Sequence, residues 1–460
     1  MRAVYFLGAG GIGMSALVRY YLSRGLVVAG YDRTPSALTD RLIAEGALLH
    51  FEDNPDLIPE ACRDPRETLV VYTPAIPADH REKAWLTAHG FNLHKRAEIL
   101  GMLTREMRGL CVAGTHGKTS TSAMAAHLLH ESTVGCNAFL GGITKNYGTN
   151  YLLSDHSPYV VIEADEFDRS FHHLRPYATV ITSADADHLD IYGTEEAYLE
   201  SFAHYTSLVQ SGGALIIHRG LRVEERLQAG VRRYDYSRTE GDFHAENIRI
   251  GDGRIVFDFI SPLCAPICDV ELGVPVSVNI ENGIAAMALA LLAGAAPDDI
   301  RRAMRTFGGV DRRFDFKIKT PQRVFLSDYA HHPAEIRQSV SSLREVYTGR
   351  RLTGIFQPHL YTRTRDFYRD FASALADLDE VILLDIYPAR EKPIEGVSAR
   401  LIYDALPADM PKRMAHKEDL PALVAAEDFD VLALIGAGDA DNYCAAMTSA
   451  IEARMTQQQA

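Results

Sequence analysis

Hydrophobic positions in the first hundred residues form a pattern that predicts strands and helices in turn. Short apolar runs at residues 4–7, 27–31 and 69–72 predict buried strands, and residues 14–23 predict a helix between the first two. Near-continuous apolar strands that alternate with helices are typical of a parallel sheet covered on both faces. We therefore predict a Rossmann-like α/β domain over residues 1–107.

The same pattern continues through the rest of the chain. It predicts a central α/β domain over residues 108–312, with a helix at 119–129, and a second Rossmann-like α/β domain over residues 313–460. The predicted strands of these two domains are at residues 110–113, 159–162, 179–181, 214–217, 324–326, 352–356, 381–384 and 431–435. The fold class is therefore α/β, with three domains.

Two segments of the predicted central domain depart from this pattern. Residues 242–258 carry Gly251-Asp252-Gly253 between alternating positions, which predicts a hairpin. The apolar run at residues 284–296 is too short to cross a bilayer and predicts a buried helix.

Composition and charge narrow the functional classes. Hydrophobic residues make up 47% of the 460 residues, which excludes a predominantly disordered chain. The chain has 47 basic and 61 acidic residues, and its formal net charge of −14 disfavours binding of nucleic acid through phosphates. Small phosphorylated ligands remain possible, because loop N–H groups can bind them locally.

Cysteine usage and the start of the chain indicate a cytoplasmic protein. Six cysteines are too few for a disulfide framework. Cys264 and Cys268 are a close pair without a second pair beside them, which favours packing over a zinc site. No basic stretch precedes the first apolar run, so we expect no signal peptide.

A glycine turn directly after the first predicted strand is the first candidate site. Gly8-Ala9-Gly10-Gly11-Ile12-Gly13 fits the pattern GxGxxG between a strand and a helix. The glycines let the backbone approach a pyrophosphate, and the helix N-terminus supplies N–H donors. Asp32 ends the second strand, where an acid could bind a ribose. By itself the turn predicts a dinucleotide oxidoreductase, a protein for another diphosphate ligand, or a tight turn without a ligand.

A second phosphate-binding turn opens the central domain. Gly114-Thr115-His116-Gly117-Lys118-Thr119 also connects a strand to a helix and ends as a P-loop does. Val112 stands where a strict P-loop has glycine, so the match is to a shorter variant. Backbone N–H groups would cradle phosphates, Lys118 would place its charge on the transferred group, and the Thr119 hydroxyl could bind Mg²⁺. This turn predicts ATP as a ligand and a domain of the P-loop ATPase type.

Acidic segments follow two further strands of the central domain. Glu163-Ala164-Asp165-Glu166 comes after one strand, where P-loop proteins hold the Mg²⁺ of a nucleotide; the alternative is a solvated acidic loop. Asp185-Ala186-Asp187-His188-Leu189-Asp190 follows the next strand, and His188 could bind a second metal ion through a neutral nitrogen. A lone histidine is more often structural. Two Mg²⁺ ions would neutralise charge on both the transferring and the attacking oxygens.

Polar or glycine-bearing loops follow four strands of the third domain. Their sequences are SDYAHHP, QPHLYTRT, DIYPAR and GAGDADN. In open α/β sheets, ligands bind outside the carboxyl ends of the strands. These loops therefore predict a second wall of a binding site.

These motifs together resemble those of the Mur ligase family. The segments GTHGKTS, EADEFDRSF, DADHLDIY, NIENGIAAMA, GVDRRFDF, DYAHHPAEI and FQPHLYTRT occur in the order seen in that family. With GAGGIGMSAL at the start, the resemblance covers about residues 3 to 445. The chain is most similar to the branch that adds the first amino acid of the peptidoglycan precursor.

The resemblance implies a domain plan, a reaction and partners. The three domains would bind, in chain order, a UDP-sugar, ATP and the incoming amino acid. The enzyme would use ATP and Mg²⁺ to join L-alanine to the lactyl carboxylate of UDP-N-acetylmuramate through an acyl phosphate, releasing ADP and phosphate. It would act without nucleic acid or membrane, as a monomer or a homodimer.

The resemblance also implies the residues of each site. The UDP-sugar would be bound by Gly8, Ala9, Gly10, Gly11, Ile12, Gly13, Met14, Ser15, Asp32, Thr73, Pro74 and Ala75. ATP would be bound by Gly114, Thr115, His116, Gly117, Lys118, Thr119, Ser120, Asn279, Asn282, Arg313 and Asp328. The amino acid would be bound by His332, His359, Tyr361 and Arg363. The catalytic residues would be Lys118, Glu163, His188 and Arg313, and the metal ligands Thr119, Glu163 and His188.

Several of these residues have structural alternatives. Asn279 and Asn282 could cap the apolar helix that follows them. Arg312 and Arg313 could form an interdomain ion-pair cluster. His331 could be a packed core histidine and is left out of the site. The general base for the amine is open between His188 and His332.

The chain departs from the pattern of the family in three places. Leu360 stands where many relatives have arginine after the histidine of QPH, which leaves Arg363 as the cation for the amino-acid carboxylate. Ser183-Ala184-Asp185 replaces an asparagine, isoleucine and glutamate. No lysine lies between Lys145 and Lys317, so the carbamylated lysine of some Mur ligases has no equivalent. That absence favours the alanine-adding branch.

Two other functions stay open at this stage. One is a recycling ligase that adds a preformed peptide to UDP-N-acetylmuramate and shares the same motifs. The other is a nucleotide-sensing Rossmann binding protein that uses the first glycine turn for NAD. The latter leaves the central and C-terminal motifs unexplained.

Overall fold

A computed structural model describes residues 1–186, 189–251, 253–389 and 391–459. The chain forms two compact units. The first unit consists of residues 1–246, 258–270 and 281–307, and the second of residues 247–257, 271–280 and 308–460. Parallel sheets with intervening helices occur in both units, so the predicted α/β class is confirmed.

The N-terminal domain contains a five-stranded parallel sheet. Its strands are β1 (Ala3–Leu7), β2 (Val27–Tyr31), β3 (Leu48–His50), β4 (Thr68–Tyr72) and β5 (Leu93–Lys95), in the order β3-β2-β1-β4-β5. Its helices are α1 (Ile12–Ser23), α2 (Ala37–Ala44), α3 (Arg81–Ala88) and α4 (Arg96–Glu106). Strand order reverses between β1 and β4, where ligands bind in doubly wound sheets. The first glycine turn follows β1 at this point.

The central domain contains a seven-stranded sheet. Its strands are β6 (Arg108–Ala113), β7 (Asn137–Thr144), β8 (Thr149–Leu152), β9 (Tyr159–Ala164), β10 (Pro176–Ile181), β11 (Ala214–His218) and β12 (Arg232–Tyr236). The order is β12-β11-β10-β6-β9-β7-β8, and all neighbours pair in parallel except β7 and β8. Its helices are α5 (Lys118–His130), α6 (Leu189–Tyr192) and α7 (Glu195–Thr206).

A three-stranded sheet and two helices follow along the chain. The strands are β13 (His244–Gly251), β14 (Arg254–Ile260) and β15 (Ile267–Glu271), and the helices are α8 (Val278–Leu292) and α9 (Pro297–Thr306). Strands β13 and β14 are neighbours and occupy the segment for which a hairpin was predicted. Helix α8 contains most of the predicted apolar helix. No helix in the described part of the chain is long and apolar enough to span a membrane.

The C-terminal domain contains a six-stranded sheet. Its strands are β16 (Asp315–Lys319), β17 (Val324–Asp328), β18 (Leu352–Phe356), β19 (Glu380–Leu383), β20 (Lys412–Met414) and β21 (Val431–Ile435), in the order β16-β17-β21-β18-β19-β20. Its helices are α10 (Pro333–Val346), α11 (Tyr361–Leu375), α12 (Arg400–Ala405), α13 (Leu420–Ala426) and α14 (Cys444–Gln459). Strands β17, β21, β18 and β19 are parallel neighbours, so the four predicted loops lie at one edge of the sheet.

The N-terminal and central domains share one hydrophobic core, which explains why they form one unit. Tyr20 of α1 packs edge-on against Phe139 and Tyr151 of the central sheet, with ring centroids 5.6 and 6.4 Å apart. Beside these rings, the buried Asn150 Nδ2 donates to the Ile12 carbonyl oxygen over 2.5 Å. The first turn of α1 is therefore fixed to the central sheet.

The strands that the sequence pattern missed are mostly edge strands. Strands β3 and β5 flank the first sheet, β8 and β12 the second, and β16 and β20 the C-terminal one. An edge strand has one neighbour and is half-exposed, so it lacks the continuous apolar run by which the inner strands were predicted. Strand β7 is the internal exception, because Gly141 and Gly142 interrupt its apolar run.

Candidate active site

Strand β2 holds the first glycine turn in place. The N–H groups of Gly8 and Ala9 donate to the Tyr31 carbonyl oxygen over 2.8 and 3.0 Å. The N–H of Gly10 donates to Asp32 Oδ2 over 2.6 Å. The acid predicted to bind a ribose therefore fixes the turn in this structure, and its contact with a ribose stays a prediction.

The exposed part of this turn is the N-terminus of α1. Gly11 is exposed, and Ile12 is 38% exposed. Since the first N–H groups of a helix have no partner within the helix, this end is suited to a diphosphate. Met14 and Ser15 are buried and support the turn from inside, with Ser15 Oγ donating to the Ile12 carbonyl oxygen over 2.8 Å. Residues 73–75 follow β4 at the same edge.

The second glycine turn connects β6 to α5 as predicted. Gly114 and Gly117 have φ values of 134° and 80°, which favour glycine. A Cβ on Gly117 would also lie 2.7 Å from Asn282 Oδ1. This position therefore requires glycine for its backbone angle and for space.

The P-loop lysine is half-buried and folds back onto its own turn. Lys118 Nζ donates to the carbonyl oxygens of Gly114 and Thr115 over 2.6 and 3.2 Å, and lies 2.9 Å from Glu166 Oε2. Burial disfavours the charged ammonium, but the carboxylates of Glu166 and Glu163 outweigh it and raise the pKa of Lys118. The lysine therefore stays charged, and a phosphate that binds it would replace these partners.

A carboxylate and a hydroxyl lie together beside the P-loop. Thr119 Oγ1 donates to Glu163 Oε1 over 3.1 Å, and Glu163 pairs with Val112 across β6 and β9. Glu163 Oε2 is buried without a hydrogen-bond partner among the described residues. Mg²⁺ in nucleotide sites takes one or two protein ligands besides phosphates and water, so this pair fits the ion. His188, predicted to bind a second ion, lies outside the described residues.

The sequence analysis missed a segment that supports the P-loop from β10. Thr182 Oγ1 donates to the His116 carbonyl oxygen over 2.5 Å, and Ser183 Oγ accepts from the His116 N–H over 2.8 Å. Thr115 Oγ1 donates to the Asp185 carbonyl oxygen over 2.7 Å. Residues 183–185, where the chain departs from the sequence pattern of the family, therefore contact the P-loop itself. The sequence did carry a signal for this contact, because the segment directly follows a strand that neighbours β6.

The two asparagines of α8 do not occupy its N-cap position. The helix begins at Val278, so Asn279 and Asn282 both lie inside it, and the capping alternative is wrong. Asn282 Oδ1 accepts from Thr121 Oγ1 over 3.2 Å, which places it against α5. Asn279 Nδ2 donates to the Val274 carbonyl oxygen over 3.1 Å. Their contacts with adenine stay a prediction.

Two arginines pack on one tyrosine ring in the second unit. The guanidinium carbons of Arg312 and Arg313 lie 4.8 and 5.2 Å from the centroid of Tyr329. Arg312 also donates to the Gly438 carbonyl oxygen over 2.9 Å. Arg312 therefore fastens the loop after β21.

Asp328 ends β17 with its carboxylate turned inward. It is 4% exposed, accepts from the Phe314 N–H over 3.3 Å and accepts from the Ser339 hydroxyl. Burial raises the pKa of Asp328, although these hydrogen bonds and Arg313 oppose the shift. The carboxylate thus positions the loop that carries Arg313, and its contact with the ATP ribose stays a prediction.

A histidine that the sequence analysis left out lies among the residues predicted to bind the incoming amino acid. The ring of His331 lies 6.0 Å from that of His359, which is 5.8 Å from Tyr387. His331 is 24% exposed and its Nδ1 lies 3.0 Å from the Tyr329 carbonyl oxygen, so it is not a core residue. Burial lowers the pKa of His331; the carboxylate of Glu335 opposes this shift, and the charge of Arg363 adds to it. The shift therefore favours the neutral form of the ring.

Arg363 of α11 is the predicted cation for a carboxylate. Its Nη1 is buried and has no hydrogen-bond partner among the described residues. Since a buried guanidinium N–H costs free energy until it is paired, a carboxylate ligand would be favoured at this position.

The other residues predicted to bind the amino acid lie at the starts of the neighbouring helices α10 and α11. His332 precedes α10, and its Nδ1 accepts from the Ala334 N–H over 3.4 Å. Tyr361 begins α11 after Leu360, whose φ of 71° is rare for a residue with a side chain. The Leu360 N–H donates to the Tyr387 carbonyl oxygen over 3.0 Å, which holds this backbone in place.

A cavity lies at the carboxyl ends of β18, β19 and β21. Its lining includes Gln357, Tyr387, Lys417 and Asp439. Gln357 Nε2 donates to Asp439 Oδ1 over 2.9 Å, and Lys417 forms an ion pair with the same carboxylate. Three of the four predicted loops therefore line this cavity, and binding of a ligand by these loops stays a prediction.

Comparison with known proteins identifies the family. The chain matches the models of the Mur ligase family catalytic domain over residues 3–108, the Mur ligase middle domain over 112–290 and the Mur ligase glutamate ligase domain over 312–438. The chain belongs to the Mur ligase family and is a ligase with three domains. The predicted family and fold class are confirmed.

Two curated relatives that match almost the whole chain are named UDP-N-acetylmuramate–L-alanine ligase. UDP-N-acetylmuramate–L-alanine ligase of Phocaeicola vulgatus is 64% identical over 443 residues, 96% of each chain. The enzyme of the same name from Porphyromonas gingivalis is 52% identical over 444 residues, 96% of this chain and 97% of its own.

Solved structures agree with this result. UDP-N-acetylmuramate–alanine ligase of Thermotoga maritima superposes with a TM-score of 0.80 at 25% identity, over 99% of each chain. A murein peptide ligase of Psychrobacter arcticus has a TM-score of 0.67 at 19% identity, over 98% of this chain and 99% of its own, which shows a shared fold.

Substitution of Gly117 tests the geometry of the P-loop. We expect Gly117→Ala to weaken binding of an ATP analogue at least tenfold, because the new Cβ needs a left-handed backbone and meets Asn282. Gly148→Ala is the matched control, since Gly148 also has a positive φ, 64°, but has open space around it. The control should lose about 1 kcal/mol of stability and keep nucleotide affinity. Equal affinities in the two variants would contradict the assignment. Calorimetric titration and thermal unfolding provide the measurements.

Proposed function

We propose that the protein is an ATP-dependent ligase that joins L-alanine to the lactyl carboxylate of UDP-N-acetylmuramate. The observation that carries this proposal is the 64% identity, over 96% of the chain, to an enzyme of that name. The two separate phosphate-binding turns agree with it, because the reaction needs a sugar nucleotide and ATP at the same time. We further expect the enzyme to act in the cytoplasm, as a monomer or a homodimer.

The first step activates a carboxylate. The lactyl carboxylate attacks the γ-phosphorus of ATP, forming an acyl phosphate and ADP. Lys118 would stabilise the charge of the transferring group after exchanging Glu166 and the turn carbonyls for phosphate oxygens. Mg²⁺, held by Thr119 and Glu163, would neutralise phosphate charge when bound.

The second step forms the amide bond. The free amine of L-alanine attacks the acyl carbon, and inorganic phosphate leaves. We propose that Arg363 pairs with the carboxylate of L-alanine, because the N–H groups of its buried Nη1 have no hydrogen-bond acceptor among the described residues. The general base stays a prediction between His188 and His332; in this structure His332 Nδ1 is occupied by the Ala334 N–H.

Phosphate release across a panel of acceptors tests the proposed function. With UDP-N-acetylmuramate and Mg²⁺-ATP, we expect the highest kcat/KM for L-alanine and lower values for L-serine and glycine. One phosphate should be released for each ligated product. Equal kcat/KM for the three amino acids would contradict the L-alanine assignment. Preference for a preformed tripeptide would indicate the recycling ligase, and binding of NAD without ADP release would indicate a sensor.

Substitution of Arg363 tests the amino-acid site. We expect Arg363→Gln to raise the KM for L-alanine about tenfold to a hundredfold, since a charge-assisted hydrogen bond contributes about 1.5–3 kcal/mol. The KM values for ATP and UDP-N-acetylmuramate should stay unchanged. Arg365→Gln is the matched control on the same helix, because Arg365 is exposed and paired with Asp366. A similar change in both variants, or no change in Arg363→Gln, would exclude this role.

A further inference from the structure

The guanidinium of Arg96 lies directly against the first glycine turn. A Cβ on Gly13 would come within 2.6 Å of Arg96 Nη1 and 3.0 Å of Cζ. Gly13 lies in the first turn of α1, next to the exposed Gly11 and Ile12. Glycine at position 13 therefore leaves space for a cation at the N-terminus of α1, where a diphosphate would bind.

The position of this cation is electrostatically unusual. Arg96 is the first residue of α4 and also lies at the first turn of α1. The N-terminus of a helix carries partial positive charge, so a cation there is unfavourable unless an anion is close. Arg96 Nη2 lies 3.5 Å from Asp165 Oδ2, with side chains 26% and 37% exposed. Ion pairs of this length and exposure contribute little.

We propose that Arg96 binds the diphosphate of the sugar nucleotide. The planar guanidinium can donate two hydrogen bonds to phosphate oxygens while the N–H groups at the start of α1 donate from the other side. The same guanidinium contacts Asp165, which directly follows β9, the strand that carries Glu163. Arg96 thus connects the sugar-nucleotide turn with the loop beside the P-loop. This inference rests on the proposed function and adds a binding residue to it.

Lys95 provides a matched control for Arg96. It is the preceding residue, carries the same charge, and its Nζ donates to Asp168 Oδ2 over 2.7 Å in the same acidic segment. Its side chain is 37% exposed, as is that of Asp168. The side-chain atoms nearest to Gly13 of the glycine turn belong to Arg96 and not to Lys95. Removal of the Lys95 charge therefore tests only the contact of this segment with the acidic segment of the central domain.

Calorimetric titration of three probes tests the proposal. UDP carries the diphosphate alone, UDP-N-acetylglucosamine adds the sugar, and UDP-N-acetylmuramate adds the lactyl carboxylate. We expect Arg96→Gln to weaken binding of all three by about tenfold to a hundredfold, and Arg96→Lys to recover part of the loss. Lys95→Gln should change these affinities by about threefold or less. Unchanged affinity of Arg96→Gln for an ATP analogue would show that the variant is folded.

Several results would overturn the proposal. Unchanged affinity of Arg96→Gln for UDP would do so, as would equal losses in Arg96→Gln and Lys95→Gln. A loss confined to UDP-N-acetylmuramate would assign Arg96 to the carboxylate instead. If the wild-type protein bound none of the three probes, the proposed function itself would fail. Wild-type binding with an unaffected Arg96 variant would refute this inference alone.

Discussion

Parallel pairing of β6 with β9 on one side and β10 on the other is the constraint on which the central site depends. It brings the carboxyl ends of the three strands to one edge. The P-loop follows β6, the Thr182 segment follows β10, and Glu163 lies in the last two residues of β9, so the three meet at this edge. Residues far apart in sequence thus come together at the proposed site for phosphate and a metal ion without any side chain having to reach across the sheet.

Most of the charged groups at this edge are paired within the protein. Lys118 is satisfied by carbonyl oxygens and Glu166, and the acidic loop is further paired with Lys95 and Arg96. An ammonium group that is largely withdrawn from water needs hydrogen-bond partners. Lys118 therefore donates to carbonyl oxygens of its own turn, at the position where phosphate oxygens would bind. In the proposed function, binding of ATP would exchange the partners of Lys118 for phosphate oxygens. The net gain in free energy would then be smaller than the gross attraction between lysine and phosphate.

Much of this architecture could be predicted from the sequence. The inner strands are continuous apolar runs, and both glycine turns stand between a strand and a helix, so periodicity and motif spacing located them. The edge strands were missed because half-exposed segments such as β3 and β20 carry no such run. The family was predictable because several motifs occur in a fixed order.

The finer roles of residues could not be predicted, because they depend on contacts between distant segments. The contact of Asp32 with a ribose stays a prediction, and the hydrogen bond that its carboxylate accepts from the Gly10 N–H was not predicted. His331 was set aside as a core residue, and only the fold shows its ring beside His359. Arg96 belongs to none of the motifs, yet it lies against the glycine turn because α4 begins beside α1. Sequence spacing carries no signal for such contacts.

The central claim is that two separate glycine turns bind a sugar nucleotide and ATP at the same time. The most direct measurement is calorimetric titration of UDP-N-acetylmuramate into protein saturated with Mg²⁺ and a non-hydrolysable ATP analogue, repeated with Lys118→Ala. The account predicts one sugar nucleotide and one ATP analogue per chain, and a variant that loses only the ATP analogue. Competition between the two ligands, or loss of both in the variant, would contradict it.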